Sequence, residues 1–195
     1  MSRRKLALHA IGASFLFFAG LGPPPTFADS SHQQGPPTWI TNKWRGWPIH
    51  VDEPRGCAYN LEDPNCVLRS PIRLSRSNYD TFFVDSPLIR WQEVNGRFCL
   101  DVEGGRTDRG APVILWGCHG GPNQQWRIDQ FYKGPNEGIT ILVNVGSGKC
   151  LDVRNPAAGN AAILPPDGAP LQIWDCFPNK SYVHWRINQS WELKF

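Results

Sequence analysis

The chain has 195 residues, with 20 Lys and Arg against 17 Asp and Glu and a formal net charge of +3. Three of the basic residues, Arg3, Arg4 and Lys5, stand in the first 28 positions, which leaves 17 bases against 17 acids in the rest. A near-neutral chain has no phosphate-tracking patch, so nucleic acid is excluded as an expected partner.

In chain order, the first element is a leader. Arg3, Arg4 and Lys5 precede an apolar run from Leu6 to Leu21, and Thr26-Phe27-Ala28 supplies small residues for cleavage. That layout predicts a secretory signal peptide over residues 1–28 and a secreted protein, or a periplasmic one in a bacterium. The run is short for a ~20-residue span and Pro23-Pro24-Pro25 follows it, so no stable membrane insertion is expected. Residues 29–38 are polar and Pro-rich, a flexible lead-in. The 167 residues beyond position 28 suit one domain with a real core.

From Trp39 onward, short apolar runs alternate with Gly, Pro, Asn and Asp, and no window sustains a helical period. Trp47–Asp52, Ile72–Leu74, Val113–Trp116, Ile139–Val145 and Leu171–Trp174 are predicted strands of an all-β barrel or sandwich. Trp39, Trp44, Trp47, Phe82 and Phe83 are read as core in preference to a partner surface.

Two stretches repeat one formula. Phe98-Cys99-Leu100-Asp101-Val102, Leu115-Trp116-Gly117-Cys118 and Gln124-Gln125-Trp126-Arg127-Ile128 make the first copy. Lys149-Cys150-Leu151-Asp152-Val153, Ile173-Trp174-Asp175-Cys176 and His184-Trp185-Arg186-Ile187 make the second, with seven extra residues between Val153 and Trp174. A unit of about 50 residues with short strands cannot bury its apolar face alone. Three such lobes, about 39–87, 88–137 and 138–195, fill the chain, the first of them diverged. Leu100, Val102, Leu151, Val153, Trp126 and Trp185 are the expected core.

Six cysteines behind a leader read as disulfides. Equivalent places in the two copies pair Cys99 with Cys118 and Cys150 with Cys176, which leaves Cys57 with Cys66. No Cys-x-x-Cys or spaced His pair accompanies them, so neither zinc nor another cofactor is expected.

These repeats resemble the ricin B-type lectin domain, a β-trefoil whose lobes carry Cys-Leu-Asp-Val, then Gln-x-Trp-x-Cys, then a closing Gln-x-Trp. The clear resemblance covers about residues 88–190. It implies carbohydrate binding in a shallow pocket on each competent lobe. There an Asp accepts hydrogen bonds from sugar hydroxyls, a Trp stacks on the ring and an Asn adds a polar contact. Carried over by position, the middle lobe offers Asp101, Trp116, Asn123 and Gln124, departing at Ile114. The last lobe offers Asp152, Gln172 and Trp174, and departs where Tyr182-Val183 stand for the Asn-Gln pair. The middle lobe is the better site. For Asp101 and Asp152 the bland alternative is closing turns through backbone N–H groups.

Catalysis has little support: no Gly-x-Ser-x-Gly or His-Glu-x-x-His string occurs, and the chain reads as a non-enzyme. Two binding roles follow from the resemblance. One is a free-standing secreted lectin for glycans or glycoconjugates. The other is the binding subunit of a multi-chain toxin, similar to those of cytolethal distending toxins, with other toxin subunits as partners.

Overall fold

A computed structural model describes residues 36–52, 68–131, 139–155, 164–176 and 188–194. The chain divides into two units, residues 1–32 and 33–195, and every described residue lies in the second. The leader, the loop holding Cys57 and Cys66, and Trp185 lie outside the described residues.

Twelve strands follow one another: β1 (Pro37–Asn42), β2 (Ile49–Val51), β3 (Ile72–Leu74), β4 (Phe82–Asp85), β5 (Leu88–Trp91), β6 (Phe98–Val102), β7 (Val113–Gly117), β8 (Trp126–Phe131), β9 (Ile139–Asn144), β10 (Cys150–Val153), β11 (Leu171–Trp174) and β12 (Trp191–Lys194). The β-branched run Ile139–Val145 becomes β9 and reaches Asn144, where a turn centred on Gly146 begins.

The outer strands of each lobe close a barrel. Antiparallel pairs join β1 to β4, β4 to β5, β8 to β9, β9 to β12 and β12 back to β1. The bridge Leu88↔Gln125 brings β5 to the start of β8 and completes the ring. A closed ring leaves no open edge to aggregate.

The inner strands make three hairpins, β2–β3, β6–β7 and β10–β11, in one common register. They are sewn together by the bridges Pro71↔Ile114, Pro112↔Gln172 and Arg73↔Pro170. Each proline has no N–H to donate, and its carbonyl accepts from the residue that follows the partner strand: Asp52 N to Pro71 O, Glu103 N to Pro112 O, Arg154 N to Pro170 O. Three lobes of four strands around a pseudo-three-fold axis are a β-trefoil, and the expected diverged first lobe is a genuine one.

One core joins the lobes. Ile49, Val51, Leu100, Val102, Leu151 and Val153 face inward from the hairpins, and Phe82, Trp91, Trp126 and Trp191 fill the barrel. Trp126 Nε1 donates to Leu100 O at 3.1 Å, and Trp191 Nε1 donates to Leu151 O at 3.2 Å. A buried indole thereby keeps its polar handle satisfied. Trp191, not Trp185, is therefore the counterpart of Trp126. The Trp-Arg-Ile echo at 185–187 misleads because a second insertion separates Cys176 from the closing motif, which is Asn188-Gln189-Ser190-Trp191.

The first lobe differs in its polar chemistry. His50 stands opposite Arg73 as Asp101 stands opposite Ile114 and Asp152 opposite Gln172. Asp80, ahead of Phe82, accepts from Val51 N at 2.7 Å and lies 2.7 Å from His50 Nδ1. Where the other lobes set a strand carboxylate against a loop amide, this lobe sets a strand imidazole against a loop carboxylate. Of the N-terminal aromatics, Phe82 and Phe83 are core and Trp47 packs against it. Trp39 is a correction: it is 43 % exposed and meets Tyr79 edge-on, with centroids 5.7 Å apart.

Two disulfides staple the later hairpins. Cys99–Cys118 spans 19 residues and Cys150–Cys176 spans 26, each inside its own lobe.

Candidate functional site

Strand alternation puts Cys99, Asp101, Ile114 and Trp116 on the outer face of the β6–β7 hairpin, while Leu100, Val102, Val113 and Leu115 enter the core. A 3-10 turn over Pro122–Gln124 lies against that outer face. Asn144, at the end of β9, fixes the turn by donating from Nδ2 to the carbonyls of Pro122, Asn123 and Gln125 at 3.0–3.3 Å.

Gln124 is wholly buried and spends all its polar capacity on protein. Its Nε2 donates to Asp101 Oδ2 at 2.8 Å and to Gly117 O at 2.9 Å. Its Oε1 accepts from the backbone N–H groups of His119 and Gly120 at 2.7 and 3.1 Å. Two donor hydrogens and two lone pairs exhaust an amide. Gln124 therefore positions Asp101 and has nothing left for a ligand.

Asp101 also receives Asn123 Nδ2 at 2.9 Å, and His119 Nε2 lies 3.5 Å away, both at Oδ2. Among the described residues its Oδ1 takes no hydrogen bond. Burial lifts the carboxyl above the usual carboxylate range, while the amides of Gln124 and Asn123 and the His119 imidazole pull it back.

Above this carboxylate lies a cavity of about 420 Å³. Its polar lining comes from Arg69, Asp101, Glu103, His119 and Asn123, and its apolar wall from Ile114 and Trp116. A concave site with one flat apolar wall and a few placed polar groups orients a small polar ligand. Asp101, Trp116 and Asn123 are thus brought together. Arg69, Glu103 and His119 join them without having been singled out by sequence. Arg69 lies in the first lobe, and only the three-fold pattern of the hairpins reveals what it faces.

The last lobe carries the same residues in a different state. Asp152 Oδ1 accepts from Gln172 Nε2 at 2.9 Å and Oδ2 accepts from Gln189 Nε2 at 3.0 Å. Gln189 also donates to Asp175 O at 3.1 Å, as Gln124 does to Gly117 O. All three of Asp152, Gln172 and Gln189 are buried, and burial pushes the Asp152 carboxyl up to about 6. Trp174, facing outward, is 38 % exposed. The polar Gln172 closes the carboxylate, whereas Ile114 in the middle lobe leaves it open. Ile114, where the middle lobe departs from the family pattern, is thus what opens the carboxylate in the lobe that the sequence favours. The closing Asn-Gln pair of the last lobe stands at Asn188-Gln189 and not at Tyr182-Val183.

A family model described as ricin-type beta-trefoil lectin domain-like matches residues 82–164. That stretch is similar to ricin-type β-trefoil lectin domains. Among curated proteins, the "Probable lipoprotein EnvE" of Salmonella typhimurium (strain LT2) is 34 % identical over 81 residues, 42 % of this chain and 38 % of that protein. The matched part is well under half the length of that relative. The trefoil also resembles solved structures. The designed three-fold symmetric protein ThreeFoil has a TM-score of 0.57 at 22 % identity, over 82 % of this chain and 98 % of that one. The exo-beta-1,3-galactanase 1,3Gal43A of Clostridium thermocellum gives 0.56 at 20 %, over 82 % and 30 %. The hemolytic lectin CEL-III gives 0.53 at 14 %, over 82 % and 32 %. These likenesses show the fold, and the lectin-like segment holds both Asp101 and Trp116.

Proposed function

We propose that the protein is a non-catalytic carbohydrate-binding lectin whose working site is the β6–β7 cavity. The observation that carries this is the open Oδ1 of Asp101 beneath the wall of Trp116. The carboxylate oxygen is held in place by amides bonded to its neighbour oxygen, and it accepts from adjacent sugar hydroxyls. The indole covers the apolar face of the ring. Asn123 supplies a further polar edge. Protein partners hold the two carboxylates of the cavity from one side, Asp101 Oδ2 by Gln124 and Asn123 and Glu103 by Arg69, which leaves Asp101 Oδ1 as the acceptor for a ligand. The galactanase neighbour shares a fold at low identity and adds nothing for catalysis. Export is supported by the leader-like residues 1–28, by two disulfides, and by a relative that is called a probable lipoprotein.

The test is a glycan array with the wild type, Trp116→Ala and Asp101→Asn. The wild type is expected to retain a defined set of glycans, and each variant to lose at least tenfold in apparent affinity while keeping its thermal midpoint within a few degrees. Equal retention by folded Trp116→Ala would sink the assignment.

A further inference from the structure

Three backbone positions are equivalent about the pseudo-three-fold axis. Arg69 N donates to Leu115 O and Leu115 N to Ser70 O; Gly110 N donates to Ile173 O and Ile173 N to Ala111 O; Gly168 N donates to Leu74 O and Leu74 N to Ala169 O. All six bonds are 2.8–2.9 Å. The three residues share a left-handed backbone, with φ of 68°, 82° and 73°. Two are glycine, which adopts this conformation without penalty. The third is arginine, and it is the one non-glycine with positive φ among the described residues.

The geometry at Gly110 says where such a side chain goes, while a Cβ on Gly168 would meet open space. A Cβ built on Gly110 would lie 3.7 Å from both Gln172 Oε1 and Trp174 Cζ3, the outer face of the next lobe. By the same relation Arg69 leaves the first lobe toward Ile114 and Trp116, and it does line the cavity there. Its guanidinium is largely exposed, with one ion pair at 3.4 Å to Glu103 Oε1. Non-glycine residues held in strained backbone conformations cluster at ligand sites.

We propose that Arg69 is a specificity residue of the β6–β7 site and that it receives an anionic substituent, a carboxylate or a sulfate, on the bound sugar. This rests on the carbohydrate-binding reading given above. The planar guanidinium offers parallel donors matched to such groups. Asp101 below takes the hydroxyls of the same ring. Glu103 steadies the guanidinium and, with Asp101, adds negative charge to the cavity. A ligand with one anionic group at the rim is therefore favoured over a densely charged polyanion.

The experiment uses an array printed with neutral hexose glycans and their uronic acid, sialic acid and sulfated counterparts. Wild type, Arg69→Gly, Arg69→Lys and Trp116→Ala are compared, each with its thermal midpoint. Wild type is expected to prefer one anionic series over its neutral counterparts by at least tenfold, the two arms telling carboxylate from sulfate. Arg69→Gly is expected to lose that preference and fold at least as stably, as glycine does at 110 and 168. Arg69→Lys keeps charge without the fork and is expected to fall between them. Retention of neutral glycans that depends on Trp116 but not on Arg69 overturns this proposal and leaves the lectin reading standing. No retention of any glycan by folded wild type overturns both.

Discussion

Asp101 and Asp152 share a strand register and differ in what their oxygens do. Asp152 is closed by two glutamines and buried, and its carboxyl sits at about 6 against about 3.9 in an unfolded chain. Between those values the native state holds a proton that the unfolded state has released. Stability from this group is therefore greatest below about pH 4, falls as pH rises to about 6, and is flat above. Across that window the loss is about 3 kcal/mol at most. Asp152→Asn removes the titration, so its unfolding free energy is expected to decline less than wild type between pH 4 and pH 7 in denaturant melts. Parallel pH profiles would contradict the buried, raised carboxyl. At this scale the sequence singled out both aspartates and favoured Asp101 through the Asn-Gln pair beside it, but not through the contact that separates them in the fold. What separates them is the neighbour across the hairpin, Ile114 or Gln172, and whether a polar neighbour helps a ligand or replaces it depends on where its amide points.

At the scale of elements, each later hairpin is tied by a disulfide on the face that carries its outer aromatic. Cys99–Cys118 closes a loop of 19 residues, for which unfolded-state entropy gives roughly 3 kcal/mol. The double variant Cys99→Ala, Cys118→Ala is expected to lose about that much in chemical denaturation, and to bind glycans more weakly because Gly117 and His119 flank the bridge and hold Gln124. Undiminished glycan affinity in that variant would show that the Gln124 clasp stands without the bridge. These hairpins were legible because their strings are local: Cys-Leu-Asp-Val and Trp-x-Cys lie on paired strands. The closing motif was not, since insertions carry Gln189 to 37 residues from Asp152 while Gln124 is 23 from Asp101. The first lobe hid its kinship by exchanging the polar pair for His50 and Asp80. It kept Ser70-Pro71-Ile72-Arg73-Leu74 in step with Ala111-Pro112-Val113-Ile114-Leu115 and Ala169-Pro170-Leu171-Gln172-Ile173, a triple echo present in the sequence all along.

For the whole molecule, three lobes of one architecture carry three chemistries on the outer hairpin face. The first holds His50 with Asp80, the middle one an open Asp101, the last a closed Asp152. One ligand per chain is the expected stoichiometry in titration calorimetry with an oligosaccharide that the array retains. Two equivalent sites per chain would mean that Gln172 yields to sugar. With a single shallow site, strong attachment to a cell surface would need clustering of chains or ligands, because avidity comes from effective concentration and not from further contacts.

The bridges that sew the hairpins together bear on how such a molecule can diversify. Because position 69 belongs to one lobe and the cavity it lines belongs to the next, the proposed site is a boundary and not a repeat. A solitary repeat has no boundary; three separate copies, meeting as a trimer, would have three identical ones. Fusion into a single chain lets each seam change alone, and here two seams keep glycine while the third carries arginine. Transplanting the middle lobe into another trefoil would move the floor of the site and leave its rim behind.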